Sequence, residues 1–325
     1  EEGTVVTFAK VPARTGYVNQ GWSSKKNSEK ATAKAKCTVN KNITLYAVQK
    51  KAVQLTFHRC DGSTWQKTTL AKGSSYSLPG VRDAEGYTFM GWSTKPMQSV
   101  SPQYEAEEKI TVNGNVDLYA VVFNRTTETD LTEDQLPQVD IYKYKQVIFV
   151  GDSRTEFMEN VLTGMGESAT KNVKFVCSAG KGLDWFTTTG WAQLYSIVQH
   201  DSNSILSKKT AVIFNFGVND LSKSADYAEY YNWIAPQLKS KGCELYFMSV
   251  NPVNRLMLPN AGRADRSEAA VRSFNQYMKA NLSSAYTYID MYSYLKSTGY
   301  SFASDHYGTG TVDDGLHYTT RTYKR

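Results

Sequence analysis

Short apolar runs alternate with longer stretches of helical periodicity from about residue 146 onward. The runs predict strands at 146–151, 173–177, 210–216, 243–250 and 286–290, and the periodic stretches predict helices at about 154–164, 188–200, 225–240, 264–281 and 291–297. Alternation at this spacing favours an α/β fold with a three-layer, doubly wound parallel sheet. The strands are continuously apolar, as strands covered on both faces require. Ligands of such sheets bind beyond the carboxyl ends of the strands.

The first 123 residues follow a different pattern, which alternates and repeats. Gly16-Tyr17 with Gly21-Trp22-Ser23 recurs as Gly86-Tyr87 with Gly91-Trp92-Ser93. Residues 42–48 recur in similar form at 115–121, and each copy predicts a strand. We expect the tryptophan of each copy to anchor a very small core.

These motifs resemble the Listeria–Bacteroides repeat, a small β-grasp-like module of bacterial surface proteins. We therefore expect a partial β-rich repeat at 1–50, a second repeat at 51–123, a polar and acidic linker at 124–142 and the α/β domain at 143–325. The resemblance implies a protein that is secreted or held at a bacterial cell surface.

Charge is distributed unevenly along the chain, whose net charge is +6. The first 100 residues hold 15 Lys and Arg against 6 Asp and Glu. This excess of positive charge indicates either a solvated, lysine-rich surface or affinity for an anionic wall polymer. No nucleic-acid-binding motif accompanies the charge, so we expect no nucleic-acid partner.

Composition excludes two further classes. No apolar run approaches the length of about 18 residues that suggests a membrane span. Four cysteines are too few for a disulfide scaffold, and none has the C-x-x-C spacing of a zinc site.

Three polar motifs follow predicted strands. Gly151-Asp152-Ser153 places Ser153 in the first turn of a helix, where backbone N–H groups are unpaired, although Asp152 or Ser153 could serve only as an N-cap. Gly217-Val218-Asn219-Asp220 is typical of a turn, but the Asn219 amide is also able to donate to an oxyanion. Gly180 and Gly182 both follow the second strand and either could offer a backbone N–H, with Gly180 closer to the strand end.

A fourth motif, Asp314-Gly315-Leu316-His317, supplies a carboxylate and an imidazole in a glycine-containing loop. Of the other three histidines, His58 lies in a repeat strand and His200 at the end of a surface helix. His306 lies in a polar loop and is the one competitor. Serine, histidine and aspartate form the set that nucleophilic acyl transfer needs.

In this order the four motifs resemble the SGNH hydrolase family, the GDSL-type esterases and acylhydrolases, over about 146–325. The resemblance implies that Ser153 is the nucleophile, His317 the general base and Asp314 its orienting carboxylate. It also implies an oxyanion hole built from the Ser153 N–H, the Gly180 N–H and the Asn219 side chain. The chain departs from the family pattern at Arg154, where Leu often follows the serine, and before Gly180, where Asn is frequent. No metal or organic cofactor is implied.

We therefore expect a monomeric serine esterase that hydrolyses acyl esters, above all O-acetyl esters, on an extracellular glycan or cell-wall polymer through an acyl-enzyme. Two other functions fit the sequence. One is a surface adhesin or wall-binding protein with a vestigial hydrolase domain, and the other is an O-acyltransferase that uses the same triad.

Overall fold

The computed structural model describes residues 3–128, 144–166, 172–201, 209–261, 263–304 and 313–324. It forms two compact units. The first comprises Glu1–Leu78, Trp92–Met97 and Glu108–Ala120, and the second comprises Pro79–Gly91, Gln98–Glu107 and Val121–Arg325. Most of the predicted linker at 124–142 lies outside the described residues.

Short antiparallel ladders build the repeat region. Its strands are β1 (Thr4–Thr7), β2 (Tyr17–Ser23), β3 (Lys36–Val39), β4 (Tyr46–His58), β5 (Thr64–Ala71), β6 (Ser74–Ser77), β7 (Tyr87–Ser93), β8 (Lys109–Val112) and β9 (Val116–Asn124). Antiparallel pairs join β1 to β3, β6 to β8, and β4 to both β2 and β5, while β4 and β9 run parallel. A β-grasp-like fold of these modules stays a prediction.

The repeated motifs fold largely as their patterns indicate. The second-copy strand begins at Val116, but the first-copy prediction is wrong in position, because β4 begins at Tyr46 and continues through residue 58. Trp92 is fully buried, and its ring lies 4.8 Å from that of Phe57. Trp22 is only half-buried, so the expected tryptophan anchor is confirmed in the second copy alone.

Five parallel strands form the sheet of the second unit, and they confirm the predicted strands. They are β10 (Tyr144–Gly151), β11 (Val173–Cys177), β12 (Lys209–Asn215), β13 (Cys243–Met248) and β14 (Tyr286–Ile289), arranged in the order β11-β10-β12-β13-β14. Apolar side chains such as Ile148, Val212 and Phe214 are fully buried, as expected for continuous apolar strands. The α/β character is therefore confirmed, and the three-layer arrangement stays a prediction.

The helices of this unit are α1 (Ser153–Gly164), α2 (Trp191–Asp201), α3 (Ser224–Ser240), α4 (Glu268–Asn281), α5 (Met291–Thr298) and α6 (Thr320–Tyr323). Two starting points differ from the prediction. A helical turn at Leu183–Trp185 and a π-helical segment at Phe186–Gly190 precede α2. The helix predicted from 264 begins at Glu268, because the extended Ser267 caps it by accepting the Ala270 N–H at 3.0 Å. In the described ranges no helix is long and apolar enough to cross a bilayer.

A final hairpin corrects one expectation. Residues 313–318, predicted as a loop, form strand β16 (Asp313–Tyr318), which pairs antiparallel with β15 (Phe302–Ser304). From Asp314 to Tyr318 every residue of β16 is buried, yet Asp314, Gly315 and His317 are not apolar, so neither an apolar run nor an alternation marks the strand in the sequence.

Candidate active site

Ser153 lies where β10 passes into α1. An ideal Cβ at Gly151 would lie 1.9 Å from Thr155 Oγ1 and 2.8 Å from the Asn215 carbonyl oxygen, so glycine is required at this tight exit. Asp152 is the N-cap and accepts the Arg154 N–H at 3.0 Å. Because the capping role belongs to Asp152, the Ser153 hydroxyl is left for another partner.

That partner is His317. Its Nε2 lies 2.8 Å from Ser153 Oγ, and its Nδ1 lies 2.5 Å from Asp314 Oδ2. The other carboxylate oxygen, Asp314 Oδ1, accepts the backbone N–H groups of Leu316 at 2.8 Å and His317 at 2.7 Å. The Phe157 ring stacks on the imidazole with the centroids 4.6 Å apart. The structure thus brings three of the predicted residues together and fixes the imidazole from several sides.

Burial and hydrogen bonds together set the protonation of His317 and Asp314. It lowers the pKa of His317, although the Asp314 carboxylate acts in the opposite direction. Burial also opposes ionisation of Asp314, but hydrogen bonds from His317 and from two backbone N–H groups hold the pKa of that carboxyl below its ordinary value. At neutral pH the pair is therefore a neutral imidazole beside a carboxylate. With Nδ1–H donating to Asp314, Nε2 is free to accept the Ser153 proton.

Arg154 is a site residue that sequence reasoning missed. Its guanidinium is buried and donates through Nε to the Leu316 carbonyl at 3.0 Å, and through Nη1 and Nη2 to the Asn251 and Pro252 carbonyls, each at 2.9 Å. It thereby ties the helix that carries Ser153 to the strand that carries His317. In the sequence Arg154 was marked only as a departure from the family pattern and as a charged residue in the first turn of a helix that follows a buried strand.

Asn219 lies in the loop after β12 and is oriented from both ends of its amide. Nδ2 donates to the Lys181 carbonyl at 2.8 Å, and Oδ1 accepts from Arg266 Nη2 at 2.8 Å. These bonds connect Asn219 to the loop of Gly180. In the described part of the chain, no hydrogen bond links Asn219 or Gly180 to Ser153.

The two glycines after β11 have different reasons to be glycine. A Cβ at Gly182 would lie 2.3 Å from Asp220 Oδ2, which accepts the Leu183 N–H at 2.9 Å. Gly180 has a φ of +70° and no heavy atom within 4 Å of its ideal Cβ position. Packing therefore explains Gly182, whereas backbone conformation and exposure explain Gly180.

The other histidines are placed elsewhere or lie outside the description. His58 ends β4, where Nε2 is 2.8 Å from Asp117 and Nδ1 is 3.1 Å from the Gly62 carbonyl. The side chains of His200 and His306 lie outside the described residues. Within the described ranges, no group of three or more His, Cys, Asp or Glu side chains is arranged to hold a metal ion.

Comparison with known proteins gives one family match. Residues 1–48 and 54–121 match the family model of the Listeria-Bacteroides repeat domain. This match confirms the predicted resemblance of the N-terminal segments. No curated protein matches the sequence.

Solved structures resemble the chain at low identity. One is a Bacteroides fragilis protein described as an acylhydrolase, with 15% identity, 61% of this chain and 86% of that chain covered, and a TM-score of 0.37. A second is a Slackia heliotrinireducens protein described as an SGNH hydrolase, with 14% identity, coverage of 56% and 95%, and a TM-score of 0.40. A third is an acetyl xylan esterase, with 12% identity, coverage of 55% and 94%, and a TM-score of 0.33.

Proposed function

We propose that this chain is a serine ester hydrolase of the SGNH type, with Ser153 as nucleophile, His317 as general base and Asp314 as the carboxylate that orients the imidazole. The observation that carries the proposal is the continuous hydrogen-bonded path from Ser153 Oγ through both ring nitrogens of His317 to Asp314. Residues 143–325 would form the hydrolase domain. The segments 1–50 and 51–123 would be surface repeats, joined to it by 124–142.

The reaction follows from this path. Ser153 Oγ attacks the acyl carbonyl while His317 Nε2 takes its proton, and the resulting imidazolium is stabilised by Asp314. The tetrahedral intermediate collapses to an acyl-enzyme as the alcohol leaves with the proton from His317. Water, activated by the same imidazole, then attacks the acyl-enzyme and releases the acid and free Ser153.

Three donors would stabilise the oxyanion. Ser153 is the first residue of α1, and its N–H donates no hydrogen bond among the described residues, as expected for the first turn of a helix. The Gly180 N–H and the Asn219 amide would supply the others. Arg266 Nη2 donates to the side-chain oxygen Oδ1 of Asn219 at 2.8 Å, which fixes the direction of the side-chain N–H groups.

The substrate we propose is an O-acetyl ester on an extracellular glycan or bacterial cell-wall polymer. Ser153 is only 7% exposed, which suits a small acyl group that can enter while its polymer stays outside. The repeats, of a kind found in surface proteins, support an extracellular location. The Asp314–His317 pair holds the base ready in its neutral form and requires no cofactor for this chemistry.

The test is acetate release from a panel of acetylated xylans, mannans and peptidoglycan, measured with the native chain and with Ser153→Ala. We expect release from at least one polymer by the native chain and a loss of about 10⁴-fold or more in the variant. Equal activity of the two proteins would rule the assignment out. Transfer of acetate to a glycan hydroxyl in place of water would reassign the same triad to an acyltransferase.

Glycan pulldown by the native chain provides a separate readout. If the polymers were bound while no acetate was released from any of them, the adhesin function would replace the hydrolase. Labelling of Ser153 by a serine-reactive fluorophosphonate, absent in Ser153→Ala, would show independently that the serine is nucleophilic.

A further inference from the structure

The two residues that flank Asp314 are each held by a separate partner. On one side, the Asp313 carboxylate pairs with Arg125, with Nη1 and Oδ2 2.6 Å apart. On the other side, the Gly315 carbonyl accepts the Asn254 N–H at 2.9 Å. The position of Asp314 within β16 is thus fixed through both of its neighbours in the chain, Asp313 and Gly315.

Gly315 allows little movement between these two anchors. Its φ is +67°, and a Cβ at this position would lie 2.6 Å from the Asn254 carbonyl oxygen and 2.7 Å from Met257 Cβ. The backbone here is therefore closely packed against the chain around Asn254. A shift of that chain would be transmitted to Asp314.

Both anchors converge on one carboxylate, that of Asp83. Its Oδ2 lies 2.8 Å from Arg125 Nη2, and its Oδ1 accepts from Asn254 Nδ2 at 2.9 Å and from the Phe89 N–H at 2.9 Å. The Asp83 side chain is completely buried. Arg125 is steadied further by Thr88, whose Oγ1 accepts from Nε at 3.0 Å.

The Asp83 carboxylate is ionised at neutral pH. Burial raises its pKa to about 6, while the Phe89 N–H and the Arg125 guanidinium hold the pKa down and the Asp313 carboxylate raises it. Above that pH the Arg125 guanidinium is shared between two carboxylates, Asp83 and Asp313. This ion pair is buried, so removal of one partner leaves an uncompensated charge.

We propose that Asp83 is a positioning residue for the catalytic carboxylate, acting through Arg125 and Asn254 on the two neighbours of Asp314. The inference rests on the proposed function for its kinetic consequence. Asp83 lies in Pro79–Gly91, which the family match counts within the second repeat but which belongs to the compact unit that carries the triad. A segment of the surface repeat would thus be part of the machinery that aligns the base.

The experiment compares full-length Asp83→Ala and Asp83→Asn with the matched controls Asp290→Ala and Asp290→Asn. Asp290 also accepts a backbone N–H, that of Ser293 at 3.1 Å, but it does so as the N-cap of α5. Turnover and KM are measured on p-nitrophenyl acetate, with the active-site concentration taken from fluorophosphonate titration. This correction removes any contribution from unfolded protein.

We expect Asp83→Ala to lower kcat about 10- to 100-fold, the range for a displaced catalytic group, with KM within about two-fold of the native value. Asp83→Asn keeps an acceptor oxygen and should recover part of that loss. The Asp290 variants should retain native kcat. A folded Asp83→Ala protein with native kcat would overturn the proposal, as would a loss confined to KM.

A spectroscopic readout separates this inference from the proposed function. The proton between His317 Nδ1 and Asp314 should give a low-field NMR signal, since the two atoms are 2.5 Å apart. Asp83→Ala should shift or broaden that signal, and Asp290→Ala should leave it in place. The signal can be read even if the native chain cleaves no ester, and an unchanged signal in Asp83→Ala would refute the positioning role.

Arg125 offers a second route if Asp83→Ala does not fold. Arg125→Lys keeps the charge but cannot bond Asp83, Thr88 and Asp313 together, so it should also shift or broaden the NMR signal of the His317 Nδ1 proton. In a folded Arg125→Lys protein, a native signal and native kcat would also count against the proposal.

Discussion

Asp314→Asn gives the sharpest test of how the imidazole is oriented. In the native site one carboxylate oxygen accepts two backbone N–H groups, at 2.8 and 2.7 Å, and the other accepts the His317 Nδ1–H at 2.5 Å. An asparagine has one oxygen and one NH₂ group. The two backbone donors claim the oxygen, so the NH₂ group is left facing His317 Nδ1.

This arrangement predicts the wrong tautomer. To accept from the new NH₂ group, Nδ1 must lose its proton, and the ring proton then resides on Nε2, the atom that faces Ser153 at 2.8 Å. A protonated Nε2 cannot take the serine proton. Loss of the correct tautomer typically costs about 10⁴-fold in turnover, or about 5.4 kcal/mol of transition-state stabilisation.

The assay is p-nitrophenyl acetate hydrolysis at neutral pH, with Asp290→Asn as the matched control. Asp314 is fully buried and bonds His317, so we expect it to act through the imidazole and the loss to be in kcat, with KM little changed. The reasoning is refuted if Asp314→Asn keeps more than about a tenth of native kcat, or if the loss is in KM alone.

Four further outcomes follow from the same site. Arg154→Lys should lower the free energy of unfolding by about 2–4 kcal/mol in urea denaturation, because an ammonium cannot satisfy all three buried carbonyls; a loss below about 0.5 kcal/mol would contradict this. Asn219→Ala should lower kcat about 10²- to 10³-fold, and a change in KM alone would make Asn219 a binding residue. Because burial lowers the pKa of His317, the acid limb of kcat/KM should have its midpoint below about pH 6.5, and a midpoint above pH 7 would count against His317 as the base. Burial raises the pKa of Asp152 to about 6, so between about pH 4 and 6 the folded protein keeps a proton that the unfolded chain releases. The stability that Asp152 contributes is therefore fully present below about pH 4 and is lost as the pH rises through about 6. This pH dependence of the free energy of unfolding should disappear in Asp152→Asn.

Apolar runs predicted the central sheet well because its strands are buried on both faces and therefore carry a continuous local signal. The residues at strand ends were equally visible, since Ser153 and Asn219 directly follow those runs. The meeting of Ser153 with His317 could be proposed only because the order of motifs resembled a known family.

Residues that act across the fold left no such signal. Arg154 bonds three carbonyls, those of Leu316, Asn251 and Pro252, and Asp83 bonds Arg125 and Asn254. No spacing or periodicity marks such partners, because each contact joins segments far apart in the chain. Strand β16 was missed for a different reason, since its buried positions include Asp314, Gly315 and His317, so it has neither an apolar run nor an alternation of polar and apolar residues.

The Ser153–His317 hydrogen bond joins positions 164 residues apart, and this has a consequence for synthesis. A ribosome exposes the serine long before it reaches the codon for the imidazole. Throughout that interval the nascent polypeptide carries an ordinary alcohol, chemically inert towards esters. In the proposed mechanism the serine gains its base only after the segment that carries His317 has been made and folded, so a product truncated before His317 would lack esterase activity.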